Sequence, residues 1–264
     1  MKQLPIGVFD SGVGGVTVLK RLLEVLPGED YIYFGDTLRN PYGDRSSEEI
    51  KKFTGQIINF MKEKKVKALV IACNTICATI NKEEYDFIFF DVLEAGAQSA
   101  VDATKNKKVG VIATKRTIES NSYQKKITEI DRDIEVYQQA CPELAPLVEK
   151  GLYSSPVAYE AANRCLEGLK YIDIDTLVLG CTHYPLLTPI IEKIMGENVK
   201  IVDPAIKLSY DVKNYLLRED LINPRDKGKM EFYVSGSKDN FTKTAEMLLE
   251  RKISEVFVVD IEKY

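Results

Sequence analysis

Four strand-like segments in the first half of this chain recur, in the same order, in the second half. IGVFDSG from Ile6 aligns with VGVIATK from Val109, and YIYFGD from Tyr31 aligns with IEVYQQ from Ile134 at the same offset. LVIACNT then meets LVLGCTH, which sets Cys73 on Cys181, and the segments FIFFD and VKIVD end in Asp91 and Asp203. Shared strand, loop and helix rhythm gives any two α/β segments some likeness. Matching cysteines at matching strand ends are harder to obtain from rhythm alone.

Around this repeat, short β-rich runs ending in Gly, Asp or Cys alternate with longer amphipathic stretches, the pattern of α/β units on a parallel sheet. Strands are expected near 5–9, 31–34, 67–72, 87–90, 109–113, 134–139, 176–180, 199–202, 230–234 and 255–259. Helices fill most gaps, among them 15–26, 46–64 and 155–170, with Pro27 and Gly28 stopping the first and Ser46 or Ser47 capping the second. The expected fold is α/β: two similar α/β domains with mainly parallel sheets facing each other across an active-site cleft. The first domain is drawn as 1–95 plus 208–264 and the second as 96–207, so the chain crosses between them twice.

With 264 residues, 45% of them hydrophobic, the chain can bury one or two cores, and no uncharged apolar run reaches the length of about 18 residues that a membrane span needs. The start, MKQLPIGVFDSG, enters a strand-like run without the apolar core of a signal peptide, so a cytoplasmic location is expected. The five cysteines, Cys73, Cys77, Cys141, Cys165 and Cys181, are odd in number and scattered, which predicts reduced thiols and no disulfide framework. No CxxC pair supports a zinc site. A net charge of −4 without a basic stripe argues against a nucleic-acid partner.

Ligands of parallel α/β sheets bind beyond the carboxyl ends of the strands. The polar residues there are Asp10-Ser11, Asp36 with the Pro41-Tyr42-Gly43 turn, Cys73-Asn74-Thr75, and Cys181-Thr182-His183. The loop Asp10-Ser11-Gly12-Val13-Gly14-Gly15 has three readings. It could cradle a dinucleotide phosphate with Asp36 on the ribose, but Thr17 stands where GxGxxG needs its third Gly, and Asp10 would repel a pyrophosphate. It could be a plain tight turn into a helix. Otherwise Asp10 and Ser11 face substrate.

Cys73 and Cys181 each follow an apolar run, and a free cysteine is commonly an inert buried thiol. Against that, hydrogen-bonding residues follow both, at places where helix N-termini with unpaired N–H groups are expected to stabilise thiolate and bind carboxylate. Their pairing by the repeat favours chemistry. His183 is the only histidine, which excludes HExxH metal clusters, and in an extended segment it points the same way as Cys181, near enough to exchange a proton. A lone histidine is otherwise a surface or core residue.

FDSGVGG, the Tyr42-Gly43 turn, ACNT, ACPELAPLVEKG and GCTHYPLL together resemble the bacterial glutamate racemases, in the aspartate/glutamate racemase family. The resemblance runs from about residue 6 to about residue 206. It implies an isomerase with no cofactor and no metal, in which Cys73 and Cys181 are opposed bases. Asp10, Ser11, Tyr42, Gly43, Asn74, Thr75, Thr182 and His183 would contact substrate or tune the thiols, Asp10 serving Cys73 and His183 serving Cys181. Thr117, Asp36 and Glu149 also match positions used around the family's site, the last two as a possible second shell. In the family the first-domain cysteine attacks the D-enantiomer and the second-domain cysteine the L-enantiomer. The implied partner is a small molecule, glutamate, whose D-form enters peptidoglycan; no nucleic acid or membrane is implied, and a homodimer is left open.

Two departures stand out: Ile76-Cys77 follows ACNT where small residues are usual, and Ala95 stands where Pro is usual. Cys77 is expected to be structural. The alternatives are an aspartate or broader amino-acid racemase, a two-lobed solute-binding module, a nucleotide-dependent oxidoreductase, and a Cys73/His183 hydrolase that would leave Cys181 idle.

Overall fold

Strands buried on both faces read as unbroken apolar runs, and all five residues of Ile6–Asp10 and of Tyr31–Gly35 are buried. In the computed structural model, which describes residues 1–253 and 255–264, these two strands sit at the centre of the first of two separate sheets. The chain passes through β1 (Ile6–Asp10), β2 (Tyr31–Gly35), β3 (Ala68–Ile71) and β4 (Phe89–Asp91) of the first sheet. It then lays down the whole second sheet, β5 (Lys108–Ala113), β6 (Glu135–Ala140), β7 (Thr176–Gly180) and β8 (Lys200–Val202), before returning with β9 (Met230–Val234) and β10 (Val256–Val258). The orders are β10-β9-β2-β1-β3-β4 and β6-β5-β7-β8, and every pairing among the described residues is parallel. All ten expected strands form, and β2-β1-β3-β4 has the same arrangement as β6-β5-β7-β8, so the repeat is a repeat of topology.

Register corrects one detail of that alignment. Ile6 pairs with Tyr31, whereas Val109 pairs with Val136, so the counterpart of Tyr31 is Val136 and lies two residues beyond Ile134. A shift of two leaves every side chain on its own face, so the apolar pattern carries no trace of it. Asp91 and Asp203 do correspond, as helix N-caps: Asp91 Oδ1 accepts from the Glu94 amide at 2.8 Å and Asp203 Oδ1 from the Ala205 amide at 3.0 Å.

The helices are α1 (Val16–Val25), α2 (Ser47–Glu63), α3 (Asn74–Cys77), α4 (Val92–Ala103), α5 (Lys115–Glu119), α6 (Ser122–Ile130), α7 (Leu144–Glu149), α8 (Pro156–Lys170), α9 (Thr188–Met195), α10 (Pro204–Arg218) and α11 (Lys238–Leu249). Ser46 starts α2 with a capping box, its Oγ accepting from the Glu49 amide while Glu49 Oε2 accepts from the Ser46 amide. The crossings between sheets are α4 and α10, packed on each other. Val92 and Ala95 of α4 enter a core with Leu208 and Val212 of α10, while Leu93, Ala97 and Ala100 enter the core of the second sheet with Tyr123 and Ile127. One helix therefore serves two cores, and Ala95 simply continues it. We propose 1–95 with 208–264 as one lobe and 96–207 as the other; each limit falls inside a crossing helix.

The expectation of five reduced thiols is corrected at one pair. Cys141 and Cys165 form a disulfide, with Cα atoms 5.7 Å apart, joining the end of β6 to α8; Cys73, Cys77 and Cys181 are free. The pair has no spacing motif, because the fold and not the sequence brings the end of a strand beside a helix. Among the described residues no helix is long and apolar enough to cross a membrane.

Candidate active site

Because both sheets are parallel, the carboxyl ends of β1 and β3 meet those of β5 and β7 across a cleft. A cavity of about 240 Å³ lies there, and Cys73 and Cys181 both line it, one from each lobe. Each cysteine is 7% exposed, buried yet on the wall of this space. Cys73 is the N-cap residue of α3, and Cys181 directly follows β7.

The two thiols have different surroundings. Cys73 Sγ donates to Ser11 Oγ at 3.4 Å, and Ser11 Oγ donates to Asp10 Oδ1 at 3.2 Å, so Asp10 reaches the thiol through a hydroxyl rather than directly. Burial, and then the charge of Asp10, push the Cys73 thiol up to about 12. Burial also raises Asp10 above the usual carboxylate range, against the opposing pull of His183, the Gly12 amide, Thr182 and Ser11. On the other side His183 Nδ1 lies 3.6 Å from Cys181 Sγ, and Nε2 lies 3.1 Å from Glu149 Oε1 without the alignment of a hydrogen bond. Burial alone would lower the imidazole pKa, but Cys181 and Glu149 outweigh it and raise it to about 10. Burial likewise works to raise Glu149, and His183 and Asn40 overcome it and lower its pKa. The Asp10 carboxyl group therefore backs Cys73 through Ser11, and an imidazole whose protonated form is favoured faces Cys181.

Hydroxyl and amide groups complete the walls. Thr75 Oγ1 and Thr114 Oγ1 are 3.0 Å apart across the cleft, and Thr117 Oγ1 lies 3.0 Å from Thr114 Oγ1. Tyr123 Oη donates to Asn74 Oδ1 at 2.7 Å, which commits that oxygen and makes Nδ2 the polar atom left for a ligand. Thr182 Oγ1 donates to Asp10 Oδ2, while Thr17 Oγ1 donates to the Thr182 carbonyl at 2.9 Å, so the floor of the cleft is tied from both sides.

Of the expected residues, Ser11, Tyr42, Gly43, Asn74, Thr75, Glu149, Thr182 and His183 join the two cysteines on the cavity wall. Asp10, Asp36 and Thr117 do not; all three are buried behind it. Asp36 accepts from Tyr42 Oη and Ser235 Oγ and pairs with Arg39 at 2.7 Å, which spends its oxygens on the wall's support. Burial and the charge of Asp36 raise the Tyr42 phenol, so it remains a donor. This disposes of Asp36 as a ribose ligand. Gly14 has its own reason to be glycine, since a Cβ there would run into Thr182 and His183 of the facing lobe.

Asn40, Pro41, Thr114, Ala145, Pro146 and Gly180 also line the cavity without having been singled out as ligands. The repeat pairs Thr114 with Ser11 and so contained its signal, and Ala145 and Pro146 lie in ACPELAPLVEKG. Asn40 is marked only by its place before Pro41-Tyr42-Gly43.

A family model described as Asp/Glu/Hydantoin racemase matches residues 6–206, which hold both thiols and every cavity residue named above. The chain belongs to this family. As a member of the Asp/Glu/Hydantoin racemase family it is an isomerase. A glutamate racemase from Thermoanaerobacter pseudethanolicus is 73% identical over 264 residues, covering 100% of both chains. Among solved structures, a glutamate racemase isoform from Bacillus anthracis matches with a TM-score of 0.95 at 40% identity, covering 98% of each chain. A glutamate racemase from Francisella tularensis, in complex with D-glutamate, matches with a TM-score of 0.94 at 36% identity over 100% of each chain.

Proposed function

We propose that this family member interconverts L- and D-glutamate without a cofactor, using Cys73 and Cys181 as the two bases. The observation that carries the reading is that the two free thiols line one cavity from opposite lobes. Inverting a stereocentre by proton transfer needs an acceptor on one face of the carbon and a donor on the other, within reach of the same atom.

In the L-to-D direction Cys181 takes the α-proton, with His183 able to exchange a proton with it, and Cys73 delivers a proton to the opposite face. Cys73 is suited to begin as the thiol, since burial and Asp10 push it up to about 12. After delivery, Ser11 and Asp10 provide the route by which it regains a proton. In the D-to-L direction the roles reverse. Asn74, Thr75 and Thr182, with backbone N–H groups, hold the α-carboxylate and stabilise the charge that builds there. Tyr42, Gly43 and Ser11 complete the substrate contacts, while Thr117, Asp36 and Glu149 act from behind or beside them.

The 73% identity to a glutamate racemase supports glutamate as the substrate. D-glutamate made this way supplies peptidoglycan. The cytoplasm is the proposed compartment. The test is polarimetry on L- and D-glutamate and on both aspartates with no cofactor added: both glutamates should decay to zero rotation, and turnover of aspartate alone would overturn the substrate assignment.

A further inference from the structure

Asn40 belongs to the first lobe and Glu149 to the second, and Asn40 Nδ2 donates to Glu149 Oε1 at 3.3 Å. The same oxygen is the one 3.1 Å from His183 Nε2. Both residues line the inner cavity, and both also line a second, outer cavity of about 630 Å³ that has Lys150 and Lys243 on its wall. The two spaces meet at this pair. The other polar ties described between the lobes, Thr182 to Asp10, Thr17 to Thr182, Thr75 to Thr114 and Tyr123 to Asn74, join buried or half-buried groups inside the cleft, whereas the Asn40–Glu149 bond is exposed at the mouth.

We infer that Asn40 is a positioning residue that latches the lobes over bound substrate by holding Glu149, and that the outer cavity is the vestibule through which the anionic substrate enters. The inference rests on the two-thiol reading, since it assigns the mouth of that same cavity. A bond of this length between a neutral amide and a half-exposed carboxylate is weak enough to break in every turnover. When it forms, it closes the inner cavity and fixes Glu149 beside His183. Losing it disfavours the closed state, so substrate binds less tightly, while a complex that has closed retains its chemistry.

The test is steady-state racemisation by the full chain and its Asn40→Ala, Asn40→Asp and Asn40→Gln variants, in both directions, with thermal unfolding alongside. For Asn40→Ala, KM should rise about 5- to 10-fold with kcat changed less than about 2-fold, and the unfolding temperature should stay at the wild-type value. The loss in kcat/KM must be equal in both directions, because enantiomers have an equilibrium constant of one. Asn40→Asp sets a second carboxylate against Glu149, so its KM should rise further at low ionic strength and recover as salt is added. Asn40→Gln keeps the donor and should recover much of the KM.

Wild-type KM in Asn40→Ala overturns the latch, as does a fall in kcat at constant KM or a loss that follows a lowered unfolding temperature. A wild-type protein that racemises no glutamate overturns the latch and the two-thiol reading together. A competent wild type with an indifferent Asn40→Ala overturns the latch alone.

Discussion

Thr182 Oγ1 donates to Asp10 Oδ2 at 3.2 Å, although Asp10 ends β1 of the first sheet, Thr182 lies just past β7 of the second, and Asp10 is 1% exposed. This bond carries the carboxylate that backs Cys73 into the structure of the opposite lobe, so proton handling and closure of the cleft share one group. Asp10→Asn keeps the shape and removes the proton acceptor behind Ser11. It should lower kcat/KM by about 10²- to 10³-fold, equally from L- and from D-glutamate, with little change in far-ultraviolet circular dichroism. Racemisation within a few-fold of wild type would show that Asp10 is only a structural tie.

The imidazole of His183 makes stability depend on pH with a definite sign. Its folded pKa of about 10 lies above the unfolded value of about 6.5. Its contribution is therefore fully present below the unfolded value, declines as pH rises above it, and is lost through the folded value. Compared with His183→Gln, the wild-type protein should be more stable at pH near 6 than at pH near 10, and thermal unfolding across that window measures it. A gap that is constant or widens with pH contradicts the assigned imidazolium.

Gly14 tests how the glycine-containing loop is used. A side chain there has no room against Thr182 and His183, and small-to-large changes in packed sites typically cost about 1–3 kcal/mol. Gly14→Ala should lose at least about tenfold in activity through distortion of the facing lobe while the sheets remain folded. A fully active Gly14→Ala would mean that the lobes do not approach this closely in turnover.

Stability should depend on a buried ion pair far from the cleft. Lys67 Nζ lies 2.5 Å from Glu29 Oε2, with side chains 0% and 1% exposed, and also donates to the carbonyls of Lys2 and Leu221. Removing one partner leaves an uncompensated buried charge, so Lys67→Ala should lose about 3–5 kcal/mol in urea unfolding. The activity of molecules that remain folded should be unchanged. A loss below 1 kcal/mol would place water at the site.

Much of this was legible in the residues for physical reasons. Parallel strands buried on both faces advertise themselves as apolar runs, and the recurrence of Cys73 at Cys181 predicted both the shared topology and the shared cavity. Other features depend on distances that no local pattern encodes. Ser11 standing between Cys73 and Asp10, the burial of Asp36 behind Tyr42, and the pairing of Cys141 with Cys165 arise only when strands from separate parts of the chain come together. Thr114 was visible through the repeat. Asn40 was not, because an amide beside a turn has no signature until a carboxylate from the other lobe faces it.

The central claim is tested most directly by racemisation in D₂O, following the α-position of both enantiomers by NMR at early times. Two opposed thiols, each holding a single proton, should put deuterium into the product while the remaining substrate keeps its α-proton, and Cys73→Ala and Cys181→Ala should each abolish racemisation. Equal early exchange in substrate and product, or a variant that retains most of the activity, would contradict the account.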